Sequence, residues 1–128
     1  MKIQKSAEDY LEMIMMLDEK KGFVRSIDVA NELGVTKPSV SVAVKKLREN
    51  GFIDMDEDGL LHLTPSGGEI AERMYDRHRM LTDFFISIGV SPDTAREDAC
   101  KVEHDLSDES FKAMCRHINW HNLNKGRE

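Results

Sequence analysis

Cys100, Glu103 and His104 stand at i, i+3 and i+4. On a helix that spacing turns a thiol, a carboxylate and an imidazole to one face. Asp9 and Glu12 repeat the device near the N-terminus, where i and i+3 bring two carboxylates together, and His78 lies between the two groups in sequence. A set that mixes O, N and S donors suits a first-row divalent transition metal. Asp9, Glu12, Glu103 and a Cys100 thiolate would carry four negative charges, which two M²⁺ ions would neutralise. Without metal these groups repel one another or take up protons. Each residue alone has a simpler explanation. A single Cys on a helix is usually a small buried apolar group, and an acid in a first helical turn answers the helix dipole. The pairing on faces is what favours a metal centre. His117 and His121, another i, i+4 pair, read as a polar helix end, and His62 is assigned no role.

A second set points to nucleic acid. Thr36, Lys37, Pro38, Ser39, Ser41 and Val42 are followed by Lys45, Lys46 and Arg48, with Arg25 a short way upstream. A helix entering the major groove needs small or polar groups near its N-terminus to touch base edges, and cations further along for phosphates. A basic helix face is more often merely solvated. Its setting, residues 26–64, favours DNA.

That stretch has the plan of a winged helix-turn-helix. Ser26 is an N-cap with Asp28 in the first turn, and Val29, Ala30 and Leu33 form a small apolar face. Gly34 makes the turn, Thr36 caps the second helix, and Pro38 fits only its first turn. Val40, Val44 and Leu47 face inward, and Gly51 ends the helix. Residues 52–55 and 60–63 are strand-like runs around a polar turn that ends on Gly59.

Other elements must carry the remaining ligand types. Residues 6–21 read as a helix capped by Ser6, with Tyr10, Leu11, Met13, Ile14 and Leu17 on its apolar side and Gly22 at its end. Thr64-Pro65 opens a long helix that ends near Gly89. Its second half, with Leu81, Phe84, Phe85, Ile86 and Ile88, is apolar on more than one side and asks for cover from a second subunit. Ser91-Pro92 opens a helix to about residue 105, and Ser107 opens a last one with Phe111, Met114 and Ile118 on one face. The tail from residue 119 shows little periodicity. The expected architecture is mostly α, with a winged helix-turn-helix DNA-binding domain over 1–64 and an all-helical metal-binding and dimerisation domain over 65–128.

Composition sets outer bounds. Hydrophobic residues make up 40% of the 128, enough for a globular fold. The sequence shows no apolar run of bilayer length and no signal-peptide core, so a cytoplasmic protein without membrane attachment is expected. Two cysteines make no disulfide framework. The net charge of −6 argues against nucleic acid only until its distribution is considered, because residues 36–50 hold four cations and one anion.

Five stretches resemble the diphtheria toxin repressor family of metal-dependent transcription regulators, especially the short manganese transport regulators. They are Ala7 to Glu12, Val35 to Ser41, Leu63 to Gly67, Arg77 to Leu81 and, most specific, Cys100 to Ser107. The resemblance spans about residues 4–118. It implies ligand roles for Asp9, Glu12, His78, Cys100, Glu103 and His104, base contacts by Thr36, Pro38, Ser39 and Val42, and a homodimer formed through the helices after the wing. Position 100 is Cys, as in iron-type members, and position 9 is Asp, as in manganese-type members. Thr82 and Arg96 stand where iron-type members carry further ligands, which implies that their ancillary site is not reproduced.

The expectation is a non-enzymatic repressor of metal-homeostasis genes. It binds double-stranded operator DNA as a homodimer when loaded with Mn²⁺ or Fe²⁺, up to two ions per subunit, with Zn²⁺, Co²⁺ or Ni²⁺ able to substitute. Metal is expected to pose two recognition helices for major grooves roughly 34 Å apart. No organic ligand is expected. The main alternative is a winged-helix regulator that senses an organic ligand and has no metal switch. A metal-dependent hydrolase finds no supporting motif.

Overall fold

The computed structural model describes residues 5–125. Among these, six helices accompany one two-stranded sheet, in the order α1 (Lys5–Lys21), α2 (Ser26–Leu33), α3 (Lys37–Glu49), β1 (Ile53–Met55), β2 (Leu61–Leu63), α4 (Pro65–Ser87), α5 (Pro92–Val102) and α6 (Asp108–Lys125). The chain divides into two compact units, residues 1–75 and 76–128, and α4 contributes to both.

The first unit is a helix-turn-helix with a hairpin wing. Tyr10, Leu11, Ile14 and Leu17 of α1, Val29 and Ala30 of α2, and Val40, Val44 and Leu47 of α3 share one core with Ile53, Leu61 and Ala71. The i, i+4, i+7 stripes of α1 and α3 thus bury the faces their spacing predicts. Gly34, at φ 67°, closes the tight turn as the C-cap of α2. Thr36 caps α3 by accepting a hydrogen bond from the Ser39 amide at 3.2 Å. The wing strands are antiparallel, pairing Ile53 with Leu63, Asp54 with His62 and Met55 with Leu61.

Two start sites differ from expectation. Ser6 lies inside α1, which already includes Lys5, so it does not cap that helix. Arg25, not Ser26, is the N-cap of α2. The reason is tertiary: Arg25 is bridged to Leu60 and so held extended at φ −113°, ψ 159°. Asp28 then accepts from the Arg25 amide at 2.9 Å and satisfies it from within the first turn.

In the second unit, Leu81 of α4 and Ala95 and Ala99 of α5 are buried, whereas Ile86 and Ile88 near the α4 C-terminus are 39% and 63% exposed. α5 ends at Val102, with Glu103 as its C-cap, three residues short of the expected end. A short-range bond from the Asp105 amide to the Val102 carbonyl tightens the exit. The carbonyls of Glu103 and Leu106 are taken by the Arg77 guanidinium rather than by a continuing helix. Ser107 caps α6 through the Ser110 amide at 3.1 Å. The tail expected to lack periodicity is helical through Lys125, and residues 126–128 lie outside those described. No helix among the described residues is long and apolar enough to cross a membrane.

Thr64 starts α4 by accepting from the Gly67 amide at 3.2 Å. Gly67 packs directly on the chain entering the wing, where an added Cβ would stand 1.9 Å from the Phe52 carbonyl oxygen; at Gly68 a Cβ meets nothing within 4 Å. Gly67→Ala should therefore destabilise the protein by about 2 kcal/mol or more, as overpacking does. Gly68→Ala should instead add about 0.5–1 kcal/mol by helix propensity. Urea denaturation of the two variants beside the parent reads both signs.

Candidate metal centre and recognition helix

In the second unit, α4 carries His78, the last turn of α5 carries Cys100, and the α5 cap is Glu103. One ligand atom from each of these three lies within 4.8 Å of the others. His78 Nδ1 stands 3.0 Å from Glu103 Oε2, and His104 Nε2 stands 3.3 Å from Oε1. Cys100 is exposed, whereas Glu103 is completely buried. The i, i+3 spacing of Cys100 and Glu103 works as expected. His104 does not continue the helix but sits in the turn after it, with a side chain only 1% exposed.

Burying a carboxylate costs several kcal/mol unless opposite charge or hydrogen bonds answer it. Glu103 Oε1 makes no hydrogen bond despite its burial. An electron-rich oxygen of that kind, beside two imidazoles and a thiol, fits a divalent transition metal. In the first unit, Asp9 and Glu12 lie one turn apart on α1, Asp9 half-buried and Glu12 6% exposed. Cys115 stands outside the cluster. Burial and the nearby Asp76 carboxylate push its thiol up, so it stays protonated. Both cysteines are free. His117 is exposed on α6; the side chain of its i+4 neighbour, His121, lies outside the described residues.

Arg77 is a site residue that the sequence reading missed. It is 4% exposed and holds the turn that carries Glu103 and His104. A signal was present: Met74, Arg77 and Leu81 stand at i, i+3 and i+7 on one buried stripe, where an arginine requires partners.

The outer face of α3 exposes Lys37, Pro38, Ser39, Ser41, Val42, Lys45 and Lys46, with Thr36 at its start. The buried Val40, Val44 and Leu47 leave those groups no other direction. Arg25 is exposed but engaged, its Nη1 donating to the Asp58 carbonyl in the wing turn at 2.5 Å. Asp56 organises that turn. Its Oδ1 accepts from the Asp58 and Leu60 amides and its Oδ2 meets His62 Nε2, all at 2.9 Å. His62, left without a role by its sequence position, thus braces the wing.

Comparison with known proteins covers most of the chain. Residues 2–61 match the model of the iron-dependent repressor N-terminal DNA-binding domain, and residues 64–122 match that of the iron-dependent repressor metal-binding and dimerisation domain. The transcriptional regulator MntR of Salmonella typhimurium is 38% identical over 107 residues, covering 84% of this chain and 68% of the relative. The regulator MntR of Listeria monocytogenes is 39% identical over 102 residues, covering 80% and 72%. A solved manganese-dependent transcriptional repressor in complex with manganese is 30% identical with a TM-score of 0.81, covering 88% of this chain and 52% of that structure. The chain thus spans about half the length of such structures.

The His62 bond and then the Leu60 amide hold the Asp56 carboxyl below its ordinary 3.8. A depressed carboxyl contributes its bonds above the unfolded value and loses them as pH falls through the folded one. The amide proton shifts of Asp58 and Leu60 should therefore stay constant down to about pH 4 and move only below it. In Asp56→Asn that acid transition should vanish from a two-dimensional NMR titration.

Proposed function

Because the chain belongs to the iron-dependent repressor family, a family of transcriptional regulators with a DNA-binding and a metal-binding and dimerisation domain, we propose that it is a metal-dependent repressor of metal-homeostasis genes. It binds operator DNA as a homodimer in the cytoplasm when loaded with Mn²⁺ or Fe²⁺. Residues 1–64 form the reader and 65–128 the metal-binding and dimerising half. The observation that carries this reading is the buried Glu103 carboxylate, with one oxygen lacking a hydrogen bond, set among His78, Cys100 and His104.

His78, Cys100, Glu103 and His104 hold the ion, and Asp9 and Glu12 add carboxylates to the ligand set. When bound, the cation supplies the positive charge these groups lack, up to two ions per subunit. Carboxylates and imidazoles suit Mn²⁺, and the Cys100 thiolate moves preference toward Fe²⁺, with Zn²⁺, Co²⁺ and Ni²⁺ as substitutes. The chain's own groups do the rest. Thr36, Pro38, Ser39, Ser41 and Val42 meet bases, Lys37, Lys45, Lys46 and Arg25 meet phosphates, and a second subunit covers Ile86 and Ile88. A tenfold preference of the ion for the DNA-competent arrangement corresponds to about 1.4 kcal/mol.

The test is anaerobic fluorescence anisotropy with duplexes enriched from a random-sequence pool. Mn²⁺ or Fe²⁺ should tighten binding at least tenfold over chelator, and Glu103→Gln with His104→Gln should abolish the difference. Equal affinity in chelator would refute the switch and favour a metal-independent regulator.

Lys45→Ala and Lys46→Ala should each weaken binding to every duplex alike and reduce the slope of log K against log salt by about one. A titration between about 50 and 200 mM salt gives the slope.

A further inference from the structure

Arg77 and His78 are neighbours on α4, and both take hold of Glu103. His78 meets its carboxylate. Arg77 meets its backbone: Nη1 donates to the Glu103 carbonyl at 3.1 Å and to the Leu106 carbonyl at 2.8 Å, which pins the turn between them. The other arm of the guanidinium, Nη2, pairs with the Asp108 carboxylate in the first turn of α6. Its carbon lies 4.9 Å from the centroid of the Phe111 ring, one turn further along α6. A buried guanidinium is costly to desolvate, and its planar fork makes contacts that an ammonium cannot reproduce together.

We propose that Arg77 is a positioning residue for the metal centre. It sets the orientation in which Glu103 and His104 present their ligand atoms, and through Asp108 and Phe111 it ties that orientation to α6. The proposal rests on reading His78, Cys100, Glu103 and His104 as metal ligands. Arg77 donates no ligand atom, so its influence falls on affinity and coordination geometry. Partners that orient ligands in this way typically govern metal affinity by ten- to a hundredfold.

The experiment measures metal binding directly on the full chain, without DNA. Mn²⁺ affinity is read from the loss of free-ion EPR signal, and coordination geometry from the d–d and thiolate charge-transfer bands of the Co²⁺ form. Far-UV circular dichroism reports the fold. Arg77→Lys keeps the charge and loses the fork. It should lower Mn²⁺ affinity roughly tenfold to a hundredfold and shift the Co²⁺ d–d bands, with the helical signal unchanged. Wild-type affinity with an unaltered Co²⁺ spectrum would overturn the proposal. Asp108→Asn is the second variant, since the Asp108 side chain is 66% exposed and the change keeps its size; circular dichroism checks its fold as well. It should lower affinity about two- to fivefold. If Arg77→Lys fails to fold and Asp108→Asn binds as the parent does, the proposal is likewise overturned. A parent protein that binds neither Mn²⁺ nor Co²⁺ would instead refute the metal centre itself.

Discussion

A carboxylate with no exposure to water has to be answered by positive charge or by donors, and Glu103 sets that condition for the second unit. The answer comes from both sides of the residue. His78 approaches one oxygen, His104 stands by the other, and Arg77 fastens the main chain that bears them. The guanidinium holds the Glu103 and Leu106 carbonyls of the turn that follows α5, and His104 lies within that turn. Cys100, one turn earlier and open to solvent, gives the cluster a soft donor on its outer side.

In the first unit the apolar core does the positioning. Val40, Val44 and Leu47 anchor one side of α3, and the remaining side can only present what the sequence places there: hydroxyls, a proline, Val42 and lysines. The wing strands join that core through Ile53 and Leu61, and polar contacts shape the turn between them. Arg25 reaches the Asp58 carbonyl, and Asp56 gathers two amides and an imidazole. Its acidic turn, which looks ill suited to a DNA reader, is thereby partly spent on internal bonds.

Most of this architecture was legible in residue order, because local rules decided it. The Thr36 cap with Pro38, the Thr64-Pro65 start and the inward stripes of α1 and α3 are determined within a few residues. So is the i, i+3 pairing of Cys100 with Glu103. What escaped depends on distant partners. Arg25 became the cap of α2 because Leu60, far along the chain, holds it extended. α5 ends at Val102, and the turn beyond it is held by Arg77, on another helix. His62 gained a role from a turn whose conformation no pattern of hydrophobicity encodes. Arg77 itself interrupts an apolar stripe, which signals that it needs partners but does not say which ones.

The contact at Gly67 has a further meaning. There the first turn of α4 rests on the main chain of Phe52 with no side chain between them. A joint made of peptide against peptide offers substitution nothing to adjust. Side chains elsewhere can vary the strength of the reader or the taste of the metal centre, but the wing and the beginning of α4 must shift together or not at all.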